Sequence, residues 1–393
     1  MLPPLLALAP AVANPPCERV SLSTLPSPGS HDTIPSLDGI RAISVLLVFL
    51  SHVGFGNVIP GGFGVTVFFF LSGYLITTLL RIEQSKYKCI NLKAFYLRRT
   101  LRILPTFYLV LFVAVIFKVT GVLGGELSTS GLLSQCFMLG NYYLVRFGAP
   151  GVVAGTVVFW SLAVEEHFYL IFPAAYRKLV RTTTPPKQVI VLAGACACVL
   201  LWRCFLIYRL HVSTGYTGHT YLATDTRVDS LLFGCILAIG FNPVLDVDSH
   251  LTYSRSAKWA PLALLALLFT FIDRNDAVRE TFRYTIQGVA LMPLFVLAIK
   301  GKGTLAFRLL NQKHLRFVGA ISYSLYLVHA CVIEVVKFTL HSSPIIDGLV
   351  ALLISMGLAA LIHQTLELGC YRLRRKLLTS GSWFARSSAR HIA

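Results

Sequence analysis

Charge is what this sequence has little of. Only 13% of its 393 residues are charged and 55% are hydrophobic, against roughly 25% charged in an ordinary globular chain. That scarcity excludes a disordered chain and argues against a water-soluble globule. Acidic residues are scarcer still, 17 against 35 Lys and Arg, a net charge of +18. Such a balance raises nucleic acid as a partner, but the cations sit between long apolar runs, a pattern that predicts a lipid bilayer and no nucleic acid. The nine cysteines contain no C-x-x-C pair and lie mostly inside apolar runs, so neither a disulfide framework, a zinc site nor any other metal centre is expected. A repeat of about 20 to 50 residues is also missing, which excludes a solenoid or propeller.

What is there is a series of apolar runs long enough to cross a bilayer. About ten are legible, near 40–57, 61–80, 103–120, 155–176, 187–208, 220–241, 257–272, 284–299, 316–336 and 345–366. The expected fold class is therefore all-α, a polytopic transmembrane helix bundle. The stretch 131–145 is apolar but short and polar-studded, and reads as a half-helix or interfacial segment. An even count puts both termini on one side. With that side cytoplasmic, roughly 26 Lys and Arg fall inside and about 6 outside, which predicts cytoplasmic N- and C-termini. The opening MLPPLLALAPAVANPP lacks a basic n-region and is interrupted by proline, so 1–35 reads as a disordered tail rather than a signal peptide. The membrane domain then covers 36–370, and 371–393, opening with RLRRK, reads as a basic cytoplasmic tail near anionic lipid.

Ionisable residues inside a span are costly and point to function. In the first run, Arg41 and His52 lie about three helical turns and roughly 16 Å apart on one face of a straight helix. An anion-binding group at the cytoplasmic edge is thereby aligned with a titratable imidazole deeper in the membrane. In FYLRRTLRILP, Arg99 and Arg102 are one turn apart, so two guanidinium forks converge on one anion, an arrangement suited to phosphate or pyrophosphate. A topological cationic border is the competing explanation for these arginines.

The run VVFWSLAVEEHFYLIFP carries Ser161, Glu165 and Tyr169 on one stripe, which makes Glu165 the carboxylate facing the interior. There it either orients His52 or pairs with an arginine, unless it only answers the helix dipole. In TYLATDTRVDSLLFG, Asp225 and Asp229 share a face while Arg227 points elsewhere and needs another partner. That set reads first as a structural ion-pair network and second as substrate contact. Ser322, Tyr326 and His329 form a polar stripe on the ninth run, either functional or inter-helix glue.

Six ordered motifs, LDGIRAISVLLVFLSH, GGFGVTVFFFLSGYLITTLL, LRRTLRILP, WSLAVEEHFYLIFP, DTRVDSLLFG and ISYSLYLVH, together resemble the acyltransferase 3 family of integral membrane O-acyltransferases. The resemblance runs from Ser36 to the last span. It implies transfer of an acyl group, usually acetyl, from cytoplasmic acyl-CoA to a hydroxyl of a carbohydrate or lipid-linked saccharide. It also implies a bacterial inner-membrane location. Acetyl-CoA would be held by Arg99, Arg102 and Arg41, with His52 and Glu165 catalytic. Two positions depart from the family pattern: Thr66 stands where many members carry aspartate, and Glu367 lacks the proline that commonly follows it. Ser161, Asp225, Arg227, Asp229, Tyr326 and His329 are left as substrate contacts or a structural network. A secondary transporter or an acyl-translocating subunit with an Arg/His/Glu relay is the alternative. The transporter predicts helices broken at mid-membrane, for which Gly61, Gly62, Gly64 and Gly73 are the candidate break points.

Overall fold

The computed structural model describes residues 34–379, except 213–214, 216–217 and 247–248. Of the tail expected over 1–35, residues 1–33 lie outside the described residues, as do 380–393, while Pro35 already belongs to a helix. The described chain is helical, with one isolated bridge between Gly125 and Val153.

Helix α1 (Pro35–Leu50) starts with proline at its first position, where a missing N–H costs nothing, and runs on as a π turn, Ser51–Phe55. Helix α2 spans Gly61–Tyr87 and α3 spans Leu92–Val119, the latter capped by the Asn91 side chain, which accepts from the Ala94 amide at 3.0 Å. Two short helices, α4 (Thr129–Cys136) and α5 (Gly140–Phe147), occupy the segment expected to be interfacial. Helices α6 (Trp160–Thr182) and α7 (Pro185–Tyr208) follow. Then come the single turn α8 (His219–Leu222), α9 (Thr224–Gly240), α10 (Ser249–Ile272), α11 (Asp276–Thr281) and α12 (Arg283–Lys300). The chain closes with α13 (Leu305–Leu310), α14 (Lys313–Ala320), α15 (Ser322–Leu340), α16 (Pro344–Ile362), a π turn at His363–Glu367 and α17 (Leu368–Thr379).

Among the described residues, eight helical segments are long and apolar enough to cross a membrane, where the sequence reading gives about ten. The two that differ are 220–241 and 284–299. Both are helices, but α9 has 17 residues and α12 has 18 with a charged residue at each end. Their apolar length is short because they are packed inside the bundle. Thirteen of the residues of α9 are buried, from Thr226 to Ile239. Residues 371–379, at the start of the expected basic tail, are helical as part of α17.

Burial orders the bundle from centre to rim. In α2, 72% of the apolar window is buried, against 22% in α10 and in α16. The outward faces of the rim helices are apolar too: Leu349, Leu353 and Leu361 on α16 are exposed at 58%, 72% and 57%. A soluble protein would not tolerate that surface; a bilayer favours it. The central pair α2 and α9 approach closely through glycine. A Cβ at Gly73 would run into the Leu231 backbone, and one at Gly234 into the Phe70 backbone, the small-residue contact by which membrane helices gain van der Waals packing. Helix α2 is continuous from Gly61 to Tyr87, so its glycines serve packing and do not break it. Cys89 is disulfide-bonded, a pairing that residue spacing does not predict because it depends on proximity in space.

Candidate active site

A cavity of about 360 Å³ opens between α1, α2, α3, α6 and α15, at the end of the bundle where α1 begins. Its walls are mainly aliphatic and aromatic. Its polar groups include Arg41, Arg99, Arg102, Glu165, Ser161 and Tyr326, so five helices bring together residues that lie far apart in the chain.

The arginines differ in what holds them. Arg41 donates to Asp38 at 2.8 Å, so one of its neighbours already offers a counter-charge. Arg99 lies over the rings of Phe95 and Tyr169, 5.8 and 5.5 Å from their centroids. Neither Arg99 nor Arg102 has a carboxylate within ion-pair distance among the described residues. The third arginine of that segment, Arg98, does: it pairs with Glu83 at 2.9 Å. Two guanidinium groups left open on a cavity wall can receive an anion, which a border of snorkelling cations has no need to do.

Glu165 accepts from the Ser72 hydroxyl and from the Tyr169 phenol, both at 2.9 Å. Neither of the two contacts expected for it is present among the described residues: no hydrogen bond joins it to His52, and no arginine lies at ion-pair distance. Ser161 shares a 2.6 Å hydrogen bond with the Tyr326 hydroxyl, which also donates to the Val158 carbonyl at 3.0 Å. These pairs tie α6 to α2 and α15 along the cavity wall.

His52 does not line this cavity. It sits on the π turn that follows α1. Its Nδ1 lies 3.1 Å from Nε2 of His329, and the two rings are 5.1 Å apart. His329 is fully buried, and its Nδ1 lies 2.6 Å from the Tyr326 carbonyl oxygen. The tautomers follow from these contacts. A carbonyl only accepts, so His329 Nδ1 carries hydrogen and, in the neutral ring, its Nε2 is an acceptor. His52 Nδ1 must then donate to it, which leaves Nε2 of a neutral His52 with a free lone pair. Tyr326 links the two regions, because its hydroxyl is on the cavity wall and its ring is 5.5 Å from that of His329.

The residues on α9 fall into three separate environments. Asp225 accepts from His219 at 2.8 Å, Trp202 at 2.7 Å and Tyr142 at 2.9 Å. Burial and the Asp225 carboxylate push the Tyr142 phenol up from its ordinary value. Asp229 pairs with Arg203 at 2.7 Å, both fully buried. Arg227 makes neither contact: it donates to Thr66 Oγ1 and to the Tyr221 carbonyl, each at 3.1 Å, and lies 3.9 Å from the centroid of Tyr284. Asp225 and Asp229 share a helix face, as the spacing predicts, yet have no partner in common.

Sequence reasoning placed His329 on a polar stripe without seeing that its partner would be His52, and it missed Ser72, Asp38 and Arg203 as partners. The Ser72 and Arg203 contacts are made between helices, which spacing does not signal, whereas Asp38 and Arg41 stand at i and i+3 on one helix, a pairing that spacing does signal. Among the described residues no cluster of His, Cys, Asp and Glu has the makings of a metal site.

Long apolar helices around an arginine-walled cavity, with a histidine pair beyond it, define an integral membrane protein with an internal site. The acyltransferase 3 family model, described as an acyltransferase domain, matches residues 34–364, and the chain belongs to that family. It is 31% identical over 317 residues to the peptidoglycan O-acetyltransferase OatA of Listeria monocytogenes, covering 76% of this chain and 49% of that one. It is 29% identical over 349 residues to the O-acetyltransferase OatA of Staphylococcus aureus, covering 85% and 56%. The chain thus spans about half the length of the curated relatives it matches. No solved structure matches it.

Proposed function

We propose that the chain is an O-acetyltransferase of the bacterial inner membrane that takes acetyl from cytoplasmic acetyl-CoA and transfers it to a hydroxyl of a cell-wall glycan. Family membership and the O-acetyltransferase relatives support the reaction class. The observation that carries the mechanism is the hydrogen-bond relay from the Tyr326 carbonyl through His329 to His52, which leaves the outermost ring nitrogen as a base.

In this reading the termini and the arginine end of the cavity face the cytoplasm. Arg99 and Arg102, with Arg41 beside them, take the CoA phosphates as charge-assisted forks. The apolar walls accept the extended arm, with the thioester directed past Ser161 and Tyr326. His52 Nε2 removes the proton of the acceptor hydroxyl as its oxygen attacks the thioester carbonyl. When the tetrahedral intermediate collapses, the C–S bond breaks, the acetyl ester forms and the CoA sulfur takes the proton from His52. Glu165 fixes Ser72 and Tyr169 at the cavity wall and orients the arm rather than the base.

The test is purified full-length protein in lipid nanodiscs with radiolabelled acetyl-CoA and soluble glycan fragments. Free CoA should appear only when an acceptor hydroxyl is present, and His52→Ala should lower that rate by about 10² to 10⁴, the usual worth of a positioned base. A His52→Ala protein with unchanged turnover overturns the assignment. An acyl-translocating subunit would move acetyl without hydroxyl-dependent CoA release.

A further inference from the structure

A second cavity, about 250 Å³ in volume, lies at the opposite end of the bundle from the first. It is formed by the loop after the α1 π turn, the end of α10, α11 and the start of α12. That loop begins at Gly56, only four residues beyond His52, so the cavity adjoins the histidine pair along the chain. Its composition is unlike that of the first: Arg274, Arg279 and Arg283 line it together with Tyr221 and Tyr284, and no acidic side chain does.

The cationic character is only partly neutralised from behind the wall. Arg279 meets Asp276 at 3.7 Å and Arg283 meets Glu280 at 3.8 Å, both at the outer limit of an ion pair. Glu280 is committed elsewhere, accepting from the Thr220 hydroxyl and the Gly215 amide. Asp273, next to Arg274, accepts from the Asn275 amide at 3.4 Å. Arg274 has no carboxylate partner among the described residues, and the Nε of Arg283 is buried with no hydrogen-bond partner. Behind Tyr221 and Tyr284, the fully buried Arg227 adds a further cation with no carboxylate of its own. Arg274 and Arg279 reach solvent, but Arg227 and the largely buried Arg283 are costly to hold there without an anion to meet them.

We propose that this cavity binds the anionic group of an acidic saccharide acceptor, a carboxylate or a phosphate on a sugar, with Arg279 and Arg283 on the anion and Tyr221 against the sugar ring. Guanidinium forks match both anions, and an aromatic face is the usual apolar support for a sugar's C–H surface. The inference rests on the proposed transferase reading, for it makes this the acceptor site, across the bundle from the arginines assigned to the donor. It adds a substrate requirement: a charged sugar is preferred over its neutral counterpart.

The test is equilibrium binding to the full-length protein in nanodiscs, without acetyl-CoA, of three probes: N-acetylmuramic acid, N-acetylglucosamine 1-phosphate and neutral N-acetylglucosamine. At least one anionic sugar should bind about tenfold or more tighter than the neutral one, and the tighter of the two identifies the group recognised. Arg279→Gln and Arg283→Gln should each remove most of that preference, since each takes away a charge-assisted contact, while the affinity for acetyl-CoA stays unchanged as the check on folding. Equal binding of all three probes, or an undiminished preference in a variant that still binds acetyl-CoA, overturns the proposal. Because the readout needs no turnover, failure of acetyl transfer with the anion preference intact would sink the transferase reading alone.

Discussion

Arg203 and Arg99 both stand inside an apolar bundle, and their surroundings resolve the cost of burial in opposite ways. Arg203 is fully buried and fully engaged: it meets Asp229 at 2.7 Å, the Thr226 and Thr281 carbonyls at 2.6 and 2.9 Å, and the Thr285 hydroxyl at 2.6 Å. Nothing is left for a ligand. Arg99 has aromatic faces on two sides, a cavity in front and no carboxylate. The first arginine holds α7, α9 and α12 together, and the second leaves its guanidinium facing a cavity, which is what the proposed donor site uses. A charged residue in a membrane is therefore not a sign of function by itself. Its partner census divides the structural cation from the binding one.

The largest effect should come from breaking the satisfied pair. Arg203→Met leaves Asp229 charged and buried with only the Thr285 hydroxyl at 3.3 Å and no counter-charge, which should cost about 3–5 kcal/mol of unfolding free energy, read from denaturant or thermal unfolding in detergent. The double variant Arg203→Met with Asp229→Leu should recover most of it, because an apolar pair of similar volume replaces the ions. If the double variant is no more stable than the single one, the network is doing more than neutralising itself. On the other side, Arg99→Ala or Arg102→Ala should leave unfolding within about 1 kcal/mol of the parent, the limit set by lost stacking on Tyr169. Affinity for acetyl-CoA should fall roughly tenfold or more, the worth of hydrogen bonds to a charged group. Lysine should restore only part, since it keeps the charge and loses the fork. Unfolding as severe as that of Arg203→Met would place Arg99 with the structural cations.

His329 lies between the two extremes, buried like Arg203 but attached to a group with a free lone pair. His329→Leu removes the acceptor that holds His52 in one tautomer. The expected loss is about 10- to 100-fold in turnover, the size seen when an outer-shell partner is removed, with acetyl-CoA affinity unchanged. His329→Gln, whose amide can replace both contacts, should recover part of the rate, which a purely space-filling role for His329 would not require. The same comparison shows what was legible beforehand. Apolar length gives the helices, and the spacing of Ser161, Glu165 and Tyr169 gives a shared wall, because both are properties of one helix at a time. The pairing of His52 with His329 and of Asp229 with Arg203 depends on how helices are arranged around α2 and α9, and on a π turn that no periodicity announces. The number of crossings is not fixed by hydropathy for a related reason: α9 is apolar and central, so its hydropathy does not separate crossing a bilayer from being surrounded by other helices.

Arg227 belongs to neither class and offers the finest cut. It is fully buried and without a carboxylate, like a binding cation, yet it is enclosed by aromatic rings and faces no part of the first cavity. Among the described residues, its one hydrogen bond to another side chain goes to the Thr66 hydroxyl. Thr66→Asp supplies the missing counter-charge at nearly the same reach. Desolvation of a second ion should offset most of the gained attraction, so the net change in stability is expected to stay within about 1 kcal/mol. The consequence to measure lies further out. With Arg227 neutralised, the field behind Tyr221 and Tyr284 weakens, and the anionic sugar probes should lose a few-fold in affinity while neutral N-acetylglucosamine is unaffected. A gain of several kcal/mol would show instead that Arg227 is an unpaired structural cation. In that outcome the electropositive end of the bundle is a by-product of an unpaired cation and not a site.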